Sequence, residues 1–185
     1  LTSSVGFTAN PIQHIGQSLA SSWVATINVG PAWESAGKTQ TFFLAPNIEN
    51  TYAANHKSHA LIDGEAFLGI QKPLREKLEG QFGLAVATTG NAALSGNIWN
   101  DADSTFNNFT YRYQVKHTHL AIKGKLLADR DYVVIPWIGG SLGVGFNKAH
   151  NFTNTPTISE AVVMPNFTNN TTTALTYTLG AGIQR

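Results

Sequence analysis

The chain has 185 residues, a net charge of +1 and no Cys, and 12% of its residues are charged, against about 25% in an average soluble domain. That balance excludes a disulfide scaffold, a thiolate metal centre and a basic nucleic-acid surface. A membrane-spanning helix is excluded too, since no apolar run reaches the roughly eighteen residues one needs, but a membrane barrel of strands is not.

In chain order, 1–22 reads as a Ser-rich N-terminal tail in which Ile12, Ile15 and Leu19 fit one side of a short helix starting at Pro11. The remainder, 23–185, reads as a single β domain. Trp23, Ala25, Ile27 and Val29 alternate with Val24, Thr26, Asn28 and Gly30, the period of a strand with two unlike faces. That strand is expected to pass Pro31 and continue to Leu44. Positions 46–57 read as a loop. A second strand, 58–71, sets Ala60, Ile62, Ala66, Leu68 and Ile70 against Asp63, Glu65 and Gln71. After the charged turn KPLREKL, a third, 79–89, opposes Phe82, Leu84 and Val86 to Gln81, Gly83 and Ala85.

The stretch 90–104 reads as a long polar loop. In the fourth strand, 106–125, Phe109, Tyr111, Tyr113 and Val115 oppose Thr110, Arg112, Gln114 and Lys116, while Leu120 and Ile122 fall on the other parity. A bulge near 117–119 is the expected repair. The fifth strand, 131–147, has one charge-free face bounded by Tyr132 and Phe146 and one that becomes small and polar after Trp137. A loop at 148–170 and a last alternating strand at 171–185 complete six.

Ten of the 23 charged residues sit in or beside the two short turns, at 72–79 and 123–131. Long connections at one end, short charged turns at the other and apolar alternate faces together form the pattern of an all-β, antiparallel, up-and-down transmembrane β-barrel. On that reading the polar faces line a lumen, where Asp63, Glu65, Arg112 and Lys116 form a charge network with Glu65 opposite Lys116. Trp23, Tyr111, Tyr132 and Phe146 are the membrane-interface aromatics.

GEAFLGIQ at 64–71 and PWIGGSLGVGFN at 136–147 resemble the small eight-stranded outer-membrane barrels of Gram-negative bacteria, the OmpA/OmpX-like or porin-family superfamily. The resemblance covers about 23–185. It implies a bacterial outer-membrane location and a bilayer of outer-membrane lipids as partner. It also implies a structural scaffold whose outer loops meet host or cell-surface factors; no catalytic residue is carried over from it, and no nucleic acid or cofactor is expected. Six strands are visible of the eight such a barrel has, and Arg185 is not the terminal aromatic of that family, so a further hairpin is expected.

Other chemistries have weaker support. His117 and His119 share a strand face but lack an evident third metal ligand, and Asp63 with Glu65 lacks the cleft an acid pair needs. Asn108, Asn151, Asn166, Asn169 and Asn170 each open an Asn-x-Ser/Thr triplet, which an Asn- and Thr-rich loop yields by composition. Two other readings stay open: a small pore of the same fold, and a soluble secreted β-sandwich or lipocalin-like binding module.

Overall fold

The structure, a computed structural model, describes residues 21–34, 37–55, 59–128, 133–161 and 166–184. The tail with its expected helix, up to residue 20, lies outside the described residues, as does Tyr132. Nine strands form one antiparallel sheet: β1 (Ser22–Glu34), β2 (Gln40–Ala45), β3 (Ile48–Ala54), β4 (His59–Arg75), β5 (Leu78–Thr89), β6 (Ala92–Asn100), β7 (Asn107–Ala128), β8 (Ile135–Pro156) and β9 (Asn170–Gln184).

The nine behave as six. β1 pairs β4 while β2 pairs β3, and β7 pairs β5 along its lower part and β6 along its upper part. Hence β1 with β2, β3 with β4, and β5 with β6 each run end to end along one line, and the six long strands follow one another as an up-and-down meander. The first strand does continue past Pro31. The expected loops at 46–57 and 90–104, however, contain strands β3 and β6. Both segments are rich in Asn, Thr, Ser and Ala, which resembles loop composition, whereas their inward residues, such as Asn50, Tyr52, Leu94 and Ile98, are buried.

Tight turns make these extensions possible. Pro46 and Asn47 join β2 to β3, with Asn47 at φ 64°, a backbone that Asn tolerates. At the end of β6, Asp101 and Ala102 both have positive φ, and the Asp103 amide donates to the Asn100 carbonyl at 3.1 Å, as in a type I′ turn.

Parity is handled differently from expectation. β7 has no bulge at 117–119: its odd-numbered residues face inward throughout, from Phe109 to Leu127. The irregularity lies in β8, where Arg112 pairs Thr153 but Gln114 pairs His150, so β8 carries one extra residue. Asn151, at φ 55°, takes up that extra residue. Phe146 therefore faces outward and Phe152 inward, although both numbers are even.

Two zones result. In the lower zone (β1, β4, β5, β9 and the lower parts of β7 and β8), most large apolar side chains point outward and the inner face is mainly small or polar, with Phe67 and Leu127 as buried apolar exceptions. The upper zone (β2, β3, β6 and the upper parts of β7 and β8) inverts this, with a buried cluster of Tyr52, Ile98, Phe109 and Tyr111 inside. The cluster reaches the rings of Phe152 and Phe167, and Phe167 lies 6.0 Å from Phe42 of β2. Six flat strands would spread roughly 24 Å at about 4.8 Å spacing. The sheet therefore curls strongly about its inner face. It does not close: among the described residues, β1 and β9 each pair on one side only.

Candidate membrane-facing surface and interior network

Cross-strand register stacks the outward residues of the lower zone into rows. One row reads Ala25, Leu68, Leu84, Ile122, Leu142 and Tyr177, and the row above it Ile27, Ala66, Val86, Leu120, Val144 and Leu175. Their large members are exposed, Leu68 by 58% and Leu175 by 75%, which is opposite to the burial such residues take in a water-soluble domain. Above these rows, Thr88, Thr118 and Thr173 mark a polar upper border, with Phe146 among them. Below, Trp23 pairs Ile70. Trp23 lies in the Ile70 row, one row above Leu126 and Ile138, and Phe146 lies in the upper border row; they are 77% and 43% exposed.

Tyr111 does not join them. It is buried on the inner face, stacked on Phe152 at 6.1 Å and edge-on to Tyr52 at 5.6 Å, because β7 keeps one parity. Burial pushes its phenol up to about 12 and raises that of Tyr52 as well.

The same parity divides the expected charge network. Asp63 and Glu65 face inward, but Arg112 and Lys116 are exposed on the outer face of the upper zone and take no part in it. The inner cation opposite Glu65 is Lys123, whose Nζ donates to Glu65 Oε1, while Asn28 Nδ2 donates to the same oxygen at 2.9 Å. Lys123 was legible: Leu120 and Ile122 outward require odd residues inward.

Around this pair the interior is a hydrogen-bonded lining. Gln81 Nε2 donates to Gln71 Oε1 at 2.7 Å, and Gln71 Nε2 to Glu79 Oε2 at 2.6 Å. The Ser141 and Thr178 hydroxyls lie 2.6 Å apart, His117 Nδ1 is 2.7 Å from Asn147 Oδ1, and Lys125 Nζ sits 4.3 Å from the Trp137 ring centre. Such pairing is what polar groups need where water is scarce. His117 and His119 share the inner face with rings 5.5 Å apart, yet no group of three or more His, Asp or Glu among the described residues is arranged to hold a metal.

The upper cluster carries a sequence signature of its own. Asn-Phe-Thr occurs at 108–110, 151–153 and 166–168, and Phe109, Phe152 and Phe167 all enter the aromatic cluster. Two of the Asn residues act as latches: Asn166 Oδ1 accepts from the Asn154 amide at 3.2 Å, and Asn169 Oδ1 from the Asn151 amide at 3.3 Å. The segment 166–169 is thereby strapped along the upper edge of β8.

No protein family, curated protein or solved structure matches this chain.

Proposed function

We propose that this chain is a membrane β-barrel protein of the bacterial outer membrane, of the OmpA/OmpX-like kind, acting as a structural scaffold that holds the upper zone clear of the bilayer. The observation that carries the reading is the belt: successive cross-strand rows of exposed apolar side chains on all six long strands, backed by an inner face that is mainly small, polar and hydrogen-bonded. β7 has 22 residues, whereas a bilayer crossing takes about 9–11. Its lower half matches the belt, and its upper half, polar outside, suits water and contact with host or cell-surface factors.

A bilayer leaves no backbone group unpaired, so the edge strands β1 and β9 must pair on insertion, with each other or with those of further copies of the chain. The decisive experiment is folding of the denatured chain by dilution into detergent micelles and then into lipid vesicles, followed by gel mobility with and without heating and by proteolysis. The expected outcome is a heat-sensitive folded band and protection of the belt, with cleavage confined to the upper zone. A chain that stays monodisperse without detergent and ignores vesicles is instead the soluble binding module, and the proposal is wrong. Steady planar-bilayer conductance would turn the scaffold into a pore.

A further inference from the structure

The apolar belt has a gap in its lower part. Two adjacent outward rows, Lys72–Gly80–Leu126–Ile138–Ala181 and Ile70–Phe82–Gly124–Gly140–Leu179, hold small residues at four of ten positions. The row above them, from Leu68 to Tyr177, is bulky throughout. A groove of about 1030 Å³ follows the two rows, as large as the sites that hold small organic ligands. Gly124 and Gly140 pair across β7 and β8 and form its floor, while Phe82 and Leu179 flank them in register. Lys72 stands at one end, exposed and next to the short turn after Arg75.

We infer that this groove holds an acyl chain of an anionic phospholipid, with the Lys72 ammonium against its phosphate. The inference rests on the membrane reading. An apolar trench open to the belt suits a hydrocarbon tail, because leaving it unfilled forfeits dispersion contacts along its walls. Of the two lysines that border the groove, Lys125 is turned to the inner face over the Trp137 ring, while Lys72 is exposed at the end of the belt where headgroups would be, and charge complementarity selects an anionic one.

The glycines allow a clean test. A Cβ at Gly124 would meet only the Gln81 carbonyl oxygen, at 4.0 Å, so Gly124→Leu enters the trench with its Cβ unobstructed, whereas Gly80 and Gly140 are hemmed in at 3.0 Å. Gly64 also faces outward with nothing within 4 Å, but lies outside the trench, so Gly64→Leu is the control. Wild type, Gly124→Leu, Gly64→Leu and Lys72→Gln would be folded in micelles doped with phosphatidylglycerol or with phosphatidylcholine of the same chains, and retained lipid read by native mass spectrometry.

Wild type and Gly64→Leu are expected to retain phosphatidylglycerol about five-fold more than phosphatidylcholine, the ratio one Lys near a headgroup supplies. Lys72→Gln should erase that preference, and Gly124→Leu should lose both lipids. Equal retention by wild type and Gly124→Leu, or no headgroup preference in wild type, overturns the inference. So does a change of oligomeric state in Gly124→Leu, which would assign the groove to a second copy of the chain. All four proteins are also added to vesicles: if they insert but hold lipid alike, only the groove is refuted, and if wild type does not insert, the membrane reading itself fails.

Discussion

The lower and upper zones are built from the same long strands, with the same neighbours, yet they are turned inside out relative to each other. On β7 the outward residues are Leu120, Ile122 and Leu126 below and Thr110, Arg112 and Lys116 above, while the inward ones pass from Lys123 and Lys125 to Phe109 and Tyr111. Strand propensity is common to both zones, so the sheet by itself does not decide which face is apolar. On the proposed membrane reading the surroundings do: the side that would meet hydrocarbon is greasy below, and the side that must exclude water is greasy above.

The largest effect that would sharpen this comparison is expected from Phe109→Ala. Phe109 is fully buried in the upper cluster, and its truncation should cost about 3–5 kcal/mol there. Limited proteolysis should then cut the upper strands while vesicle insertion of the lower zone persists. Loss of both together would mean that the zones fold as one unit.

Next comes Leu142→Arg, a charge in the middle of the belt, expected to lower folding stability in vesicles by about 2–4 kcal/mol. Thr110→Arg, outward in the upper zone, should change it little. Equal effects in urea titrations would end the distinction between the zones.

Tyr111 offers a test by pH. Its phenol is raised from an ordinary value of 10 to about 12, so the folded state holds its proton more firmly than the unfolded one. The associated stability is complete below about pH 10 and is lost progressively as pH rises towards 12, by about 2–3 kcal/mol in all. Phenolate absorbance should show this late titration, and Tyr111→Phe should remove it.

The smallest expected effect concerns Glu65. Replacing it with Gln leaves Lys123 facing inward without its carboxylate, costing about 1–2 kcal/mol once partial exposure is allowed for. The double exchange Glu65→Lys with Lys123→Glu should recover most of that loss. If the exchange recovers nothing, the two side chains do not interact in the folded protein.

The lower zone was legible in the sequence because apolar and small residues alternate there without interruption. Ala25, Leu68, Val86 and Leu142 could each be assigned to the outer face from parity alone. The upper zone is harder to read because its segments are rich in Asn, Thr and Ser: the alternation of Leu94, Gly96 and Ile98 with Ser95, Asn97 and Trp99 is present but masked by loop-like composition. Arg112, Lys116 and Tyr111 lie on the faces opposite to those expected for one shared reason: apolar residues point outward only along the lower half of β7. The extra residue at Asn151 left no mark in sequence, since many Asn residues nearby could equally have adopted positive φ.

The contact between Phe42 and Phe167 has a kinetic meaning. It joins the first long strand to the segment before the last, 125 positions apart by subtraction (167 − 42), whereas every paired strand of the meander follows its neighbour closely in sequence. Contacts that close long loops are made late, after shorter-range pairings have drawn the chain together. The upper end should therefore be the last part to set, and an aromatic probe at Phe167 should report the final step of folding.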